Sequence, residues 1–276
     1  MRNSKKLMPS AHSVRALCVA LAILAACVCP AVPAEVIPLP PMAASERGVY
    51  RARDVASSAA LWETEWVVIR ANQDGRTVLR MKEDGAGTRA DYPGHTLWST
   101  QMTIDLWGAD PYLSAIREVR DSQRVLEIED RKFDYRRATG SVEIGHPAAG
   151  ESSTREVHLT VQTYPVEFLS VLLRLIPNAP DKEIRFQLVT HTASVVDMRA
   201  NVVGRERVSV PAGTFDCYKV ELRPTGLTGV VARLIMPNIY MWHTEAAPHF
   251  WVKFQGAEGG PGSREIVREL LRFSET

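Results

Sequence analysis

Cysteine is nearly absent from the body of this chain. Cys18, Cys27 and Cys29 lie close to the N-terminus, and Cys217 stands alone beyond them. No intramolecular disulfide framework can therefore staple the fold. Long apolar runs are missing too. The run that stands out, ALCVALAILAA at residues 16–26, is too short to cross a bilayer, which takes about 20 apolar residues. Charge of one sign is not in excess: 33 Lys and Arg face 32 Asp and Glu. With no basic tail or patch, nucleic acid is excluded as a partner. No strand–helix–strand rhythm supports a doubly wound nucleotide fold. No G-x-S-x-G elbow marks a hydrolase nucleophile, and there is no convincing internal repeat.

The N-terminus reads as a leader. Arg2, Lys5, Lys6 and Arg15 precede the apolar run, and small residues follow it, which is the layout of a secretory signal. Two cleavage routes compete. Val32-Pro33-Ala34 suits ordinary signal peptidase and gives a leader of residues 1–34. Leu24-Ala25-Ala26-Cys27 looks like a lipobox and gives a leader of residues 1–26 with a lipidated Cys27. That lipid would be the one expected membrane contact. Val28 replaces the Asp best known for inner-membrane retention. Removing residues 1–34 takes four basic residues and no acidic one, so 29 face 32 and the net charge becomes −3. The expected location is outside the cytoplasm, in the periplasm or anchored to the outer membrane. A body of roughly 240 residues can build a substantial apolar core.

Residues 35–60 hold Pro38, Pro40 and Pro41 and then small polar residues without a period. They read as a tether leading into a single β domain at residues 61–276. There, alternation with period 2 dominates, as in WETEWVVIR, RTVLRMK, VLEIED, EVHLTVQT, EIRFQLVT, VVARLIM, HFWVKFQ and REIVRELLRF. Such strand-length runs, bounded by turn residues, predict a mainly β fold: a curved antiparallel sheet forming an open or partly closed barrel. One or two short helices join it. Val166, Leu169, Leu172, Leu173 and Ile176 share a helical face between Pro165 and Pro177. DPYLSAIREVRD is a second helical candidate, with Asp110 as cap and Leu113, Ile116 and Val119 as a stripe.

The sharpest local pattern is VSVPAGTFDCYKVEL, residues 208–222. Pro211 fixes φ and Gly213 supplies a conformation other residues resist, so the stretch predicts a hairpin with a demanding corner. Thr214 could bond back to a turn amide. V-P-A-G-T-F resembles the signature of a bacterial exported family of unknown function. That family is similar to the open β-barrels of the lipoprotein carriers LolA and LolB. The short helix and the late Trp242, Pro248, Phe250-Trp251-Val252 strand follow in the same order. The resemblance implies the open barrel and carries over no catalytic residue. MPNIYMWHTEAAPHF departs from the family's acidic turn.

Candidate chemistry is sparse. His243, Glu245 and His249 are the nearest approach to a metal cluster, but Pro248 breaks the helical H-E-x-x-H spacing. No metal, cofactor or catalytic residue is expected. Cys217 beside Asp216 and Lys219 reads as a buried strand thiol rather than a nucleophile. The tryptophans are more informative. Trp62, Trp66, Trp98, Trp107, Trp242 and Trp251 could line a concave β-surface or simply fill the core. The leading expectation is a non-catalytic envelope protein that buries a lipid or other hydrophobic ligand. One alternative is an assembly module binding another envelope protein; another is an envelope hydrolase.

Overall fold

The computed structural model describes residues 37–92, 94–160, 162–178, 180–225, 238–260 and 262–276. The leader with Cys27 and both cleavage routes lies outside the described residues, as do Val161 and the run at residues 230–236.

Among the described residues, fifteen strands make one sheet. β1 (Ser45–Asp54), β2 (Ala60–Gln73), β3 (Arg76–Thr88), β4 (His95–Asp105), β5 (Tyr112–Arg120), β6 (Val125–Asp134), β7 (Thr139–His146) and β8 (Glu151–His158) follow one another as hairpins. β9 (Thr163–Pro165) and a helical stretch come next. β10 (Glu183–Val189), β11 (Val195–Val210), β12 (Gly213–Pro224), β13 (Ile239–Thr244), β14 (Trp251–Ala257) and β15 (Glu265–Glu275) complete the chain. β1 pairs with both β2 and β15, so the first and last strands meet in the middle of the sheet. β9 and β10 run parallel. The fold is thus mainly β and mostly antiparallel, as the alternation predicts.

The two edges are β8 and β9, which are consecutive in the chain. Residues 159–162 join them. Such a link reaches less than about 20 Å, since consecutive Cα atoms are 3.8 Å apart. A flat sheet of this order would be about 65 Å wide at 4.7–4.9 Å per strand. The sheet must therefore curl until its edges approach. Tyr135 Oη donates to the Thr163 carbonyl at 2.6 Å, and Arg155 Nη1 to that of Thr192 at 3.1 Å, across the gap. β8 and β9 do not pair, so the barrel stays open.

Inside the curl sits the helical stretch. Val166–Phe168 and Leu173–Asn178 are 3-10 turns around one α-helical turn, α1 (Leu169–Leu172). Phe168, Val171, Leu172, Leu173 and Ile176 are buried in the main core. Arg174 is buried with them and pairs with the buried Glu46 of β1 at 2.7 Å. Arg174 Nη1 also donates to Glu46 Oε1 at 2.9 Å, and the Ala43 amide donates to the same oxygen at 3.0 Å.

Two expectations are corrected. Residues 35–60 are not a tether throughout, because β1 occupies 45–54, and Ile37, Leu39 and Met42 pack on the core. DPYLSAIREVRD is not a helix but contains β5, which turns Leu113, Ala115, Arg117 and Val119 inward and leaves Ile116 exposed. Hydrogen bonding on both sides, to β4 and β6, overrides a weak helical stripe.

The hairpin corner is where the sequence puts it. β11 and β12 pair from Val210 with Gly213 outward, around Pro211 and Ala212. Gly213 has φ +138°, a region that favours glycine. Thr214 does not bond a turn amide; its hydroxyl meets that of Ser209 at 3.0 Å. The Ala212 amide donates to the Leu270 carbonyl at 3.1 Å, which ties the corner to β15.

Candidate functional site

A pocket of about 190 Å³ opens beside the helical stretch. Strand alternation builds its walls. β2 turns Trp62, Thr64 and Trp66 to one face. The neighbouring order β2-β1-β15-β14 then brings Tyr50, Arg268 and Trp251 alongside them. Trp62, Trp66 and Trp251 line the pocket together with Leu169, Met241 and Phe254. Tyr50 stacks on Trp251 with ring centroids 4.3 Å apart and donates its hydroxyl to the Trp251 carbonyl at 2.9 Å. Burial pushes the Tyr50 phenol well above its ordinary pKa, so it stays a donor.

Arg268 is the centre of the aromatic group. Its guanidinium carbon lies 4.4 Å from the Trp251 ring, 5.0 Å from Trp62 and 5.2 Å from Tyr50. All three lie within the ~6 Å reach of a cation–π contact. The same guanidinium donates to Glu83 at 2.9 Å and to the Thr64 hydroxyl at 2.5 Å. Glu258 accepts from the Trp62 indole and pairs with Arg264 at 2.6 Å.

A second charged group flanks the mouth. Arg131 of β6 pairs with Glu129 at 2.6 Å and with Glu167 of the helical stretch at 2.7 Å. His191 Nδ1 lies 2.7 Å from Arg131 Nη2 and 3.1 Å from Glu129 Oε2. Burial alone would raise the Glu167 pKa, but the nearby Arg131 and His191 outweigh it and hold the carboxyl down to about 2. Burial also opposes ionisation of Glu129, and hydrogen bonds from His191 and Arg131 keep its pKa low. Arg117 pairs with Glu127 at 2.7 Å behind this group. In these ion pairs each carboxylate is closed on an arginine.

The six tryptophans do not act as one set. Trp62, Trp66 and Trp251 converge on the pocket. Trp98 stands behind it, edge-on to Trp62 at 5.7 Å. Trp107 donates its indole N–H to the Ile37 carbonyl at 3.0 Å, away from the pocket. Trp242 packs in a separate cluster with Val208, Cys217 and Val252 and donates to Glu206. Cys217 is buried there, and burial, with Asp216 nearby, pushes its thiol up to about 12. His243, Glu245 and His249 diverge. His243 Nδ1 contacts the His249 carbonyl at 2.8 Å, His249 Nδ1 contacts that of Thr244 at 2.9 Å, and Glu245 faces Arg205. Among the described residues, no group of three or more His, Cys, Asp and Glu could hold a metal.

Sequence reasoning missed Arg268, Glu83, Glu167, Ser170 and His191. The signal was present for two of them: Glu83 and Arg268 put a charge on the inward phase of an alternating strand, as Arg117, Glu129 and Arg131 also do. A larger depression of about 610 Å³ lies by Asp110, Tyr112 and Arg136, where the start of β5 and the end of β6 meet the turns beside them around the exposed Arg136–Asp110 ion pair.

The model of a family described as "Protein of unknown function (DUF3108)" matches residues 59–265. The match begins after β1 and stops where β15 starts. Several solved structures are similar, and three of them are as follows. A β-barrel-like protein of the DUF1849 domain of unknown function from Brucella abortus has 10% identity and a TM-score of 0.53, covering 84% of this chain and 98% of its own. A candidate lipoprotein from Parabacteroides distasonis has 9% identity and a TM-score of 0.33, covering 87% and 100%. A candidate exported protein with a YmcC-like fold from Bacteroides fragilis has 10% identity and a TM-score of 0.31, covering 86% and 98%. No curated protein matches the sequence.

Proposed function

Because the chain belongs to the DUF3108 family of unknown function, we propose a role from its site: a non-enzymatic, exported envelope protein that holds a hydrophobic or amphipathic ligand in the open barrel. The basic, apolar and small-residue pattern of residues 1–34 supports export, to the periplasm or to an outer-membrane anchor at Cys27. A kinship with open-barrel lipoprotein carriers belongs to the same reading. The observation that carries it is the convergence of Trp62, Trp66 and Trp251 on one pocket. Aromatic walls with a few placed polar groups are how ligand pockets are generally built.

The mechanism is burial of ligand surface, at about 25 cal/mol per Å² of apolar area removed from water. The helical stretch packs in the main core beside the pocket, so a long chain would go deeper along it only if that stretch moved. The pocket carboxylates Glu83, Glu167 and Glu258 are each paired with an arginine. Pairing of this kind suits a binding role better than proton transfer, which needs a group poised near the working pH.

The test is native mass spectrometry of the protein purified from its own envelope, followed by titration of the stripped protein with acyl and glycoside probes. A retained ligand, or saturable quenching of tryptophan fluorescence, is expected. A stripped protein that binds neither class of probe, and a native protein that carries nothing, would refute the reading.

A further inference from the structure

Six polar atoms of the residues that line the pocket are buried without a hydrogen-bond partner among the described residues. They are the indole N–H groups of Trp66 and Trp251, the Ser170 hydroxyl, the Nε of Arg89 and Arg268, and Glu167 Oε1. Trp66 is 4% exposed, Trp251 5% and Ser170 7%. Buried polar groups are almost always hydrogen-bonded, because leaving one unpaired is costly. Six such atoms around one pocket describe a partner with a mixed pattern of hydrogen-bonding groups.

The pattern is specific. Four of the atoms are N–H donors and want acceptor oxygens. Ser170 Oγ can play either part, and Glu167 Oε1, 3.7 Å from His191 Nδ1, can still accept a hydrogen bond. A carboxylate or phosphate would satisfy the N–H groups but would meet the Glu167 carboxylate oxygen with like charge. The charged lining adds Glu83 and Glu258 against Arg89 and Arg268, so an anion gains no net attraction. An alkyl chain would leave all six atoms unpaired. A hydroxyl both donates and accepts, and a ring bearing several hydroxyls has apolar C–H faces that fit against indoles. The volume of about 190 Å³ is below the ~300–1,000 Å³ usual for drug-sized ligands. It suits a single ring.

We infer that this pocket seats one neutral, polyhydroxylated ring, a sugar unit of an envelope glycan or of a glycolipid head group. Trp62, Trp66 and Trp251 supply its walls, and Ser170 and the indole N–H groups of Trp66 and Trp251 bond its oxygens. The inference rests on the pocket being a binding site and narrows what enters it.

The experiment titrates the full mature protein with the methyl glycosides of glucose, galactose, mannose and N-acetylglucosamine, with glucuronate, with octyl glucoside and with decanoate. At least one methyl glycoside should bind more tightly than glucuronate and decanoate. Trp66→Phe keeps a flat ring and loses the N–H, and Ser170→Ala loses the hydroxyl. Each should weaken glycoside binding about 5- to 10-fold, the equivalent of one hydrogen bond. Ser170→Ala keeps the test decisive if Trp66→Phe misfolds. Octyl glucoside binding more tightly than the methyl glycosides identifies a glycolipid source, and equal affinity identifies a glycan. Preference for glucuronate, or glycoside binding unchanged in both variants, overturns the inference. Decanoate binding without any glycoside overturns it while leaving the ligand-binding reading intact. Failure of every probe removes both.

Discussion

The pairing of Glu46 with Arg174 offers a stringent test of how this fold is held together. Both side chains are essentially fully buried, with the shortest contact at 2.7 Å. Glu46 sits on β1, and Arg174 sits on the helical stretch that fills the barrel. Replacing Glu46 with Gln leaves a buried guanidinium without its counter-charge, and breaking such a pair costs about 3–5 kcal/mol. Arg174→Met leaves the carboxylate, which still accepts from the Ala43 amide at 3.0 Å, so its loss should fall at the lower end. At about 2–4 °C per kcal/mol for a domain of this size, the single variants should melt about 6–20 °C early. The double variant removes both charges and should lose less than the sum of the singles by at least about 1–2 kcal/mol. Urea unfolding of the mature protein, followed by tryptophan fluorescence, measures all three. Because Arg174 lies 5.7 Å from the Trp66 ring, the folded-state emission should shift as well. Single losses below about 1 kcal/mol, or a strictly additive double variant, would refute the account of the pair as a buried clasp.

Other expectations follow from the same packing. Stability should fall with acid in two stages. His243 is held by burial down to about 3 against 6.5 for a free imidazole, so stability declines as pH drops from about 6.5 toward 3, where only the unfolded chain takes the proton. Glu167, held at about 2 against 4.5, contributes fully above pH 4.5 and loses its contribution as pH falls toward 2. His243→Met should flatten the upper stage and Glu167→Gln the lower; denaturation profiles that keep both slopes would contradict this. Gly85→Ala would place its Cβ 2.2 Å from the Trp98 indole. It should cost about 1–3 kcal/mol and move Trp98 against Trp62, altering pocket fluorescence. A Cβ at Gly213 would meet only the Phe215 ring, at an ordinary 3.6 Å, so Gly213→Ala suffers from its φ of +138°. It should cost about 1 kcal/mol and leave the pocket spectrum unchanged. Cys217, fully buried with its thiol pushed up to about 12, should react with a thiol reagent only on unfolding. Rapid labelling of the native protein would contradict its burial.

The legible parts of the fold are those where apolar residues take the inward phase. β2, β10 and the V-P-A-G-T-F corner are of this kind. β1 escaped notice because its inward residues are Glu46, Gly48, Tyr50 and Ala52. One carries a charge and two are small, so no apolar alternation appears. Gly48 is small where the Tyr50 ring lies across it: a Cβ there would sit 2.7 Å from that ring. β5 does not show as a strand in the sequence because Arg117 occupies an inward position, where Glu127 neutralises it from the next strand. A residue that looks polar in sequence thus behaves as core once its partner is beside it. The site divides the same way. Trp62 and Trp66 share a face at a spacing visible in the chain. Trp251 joins them only because β15 and β1 stand between β14 and β2, a neighbourhood that no local pattern encodes.

The meeting of β1 and β15 also sets the order in which this protein can finish folding. β1 emerges early but waits for a partner that is the last strand to appear. Until then its free side is an open hydrogen-bonding edge, and so is that of β14. Until β15 is made, the strands on its two sides can therefore pair only as two separate arcs. A chain cut short before residue 265 would keep almost every hairpin and still present two sticky edges. Such a product is more prone to aggregate or be degraded than one merely missing a tail.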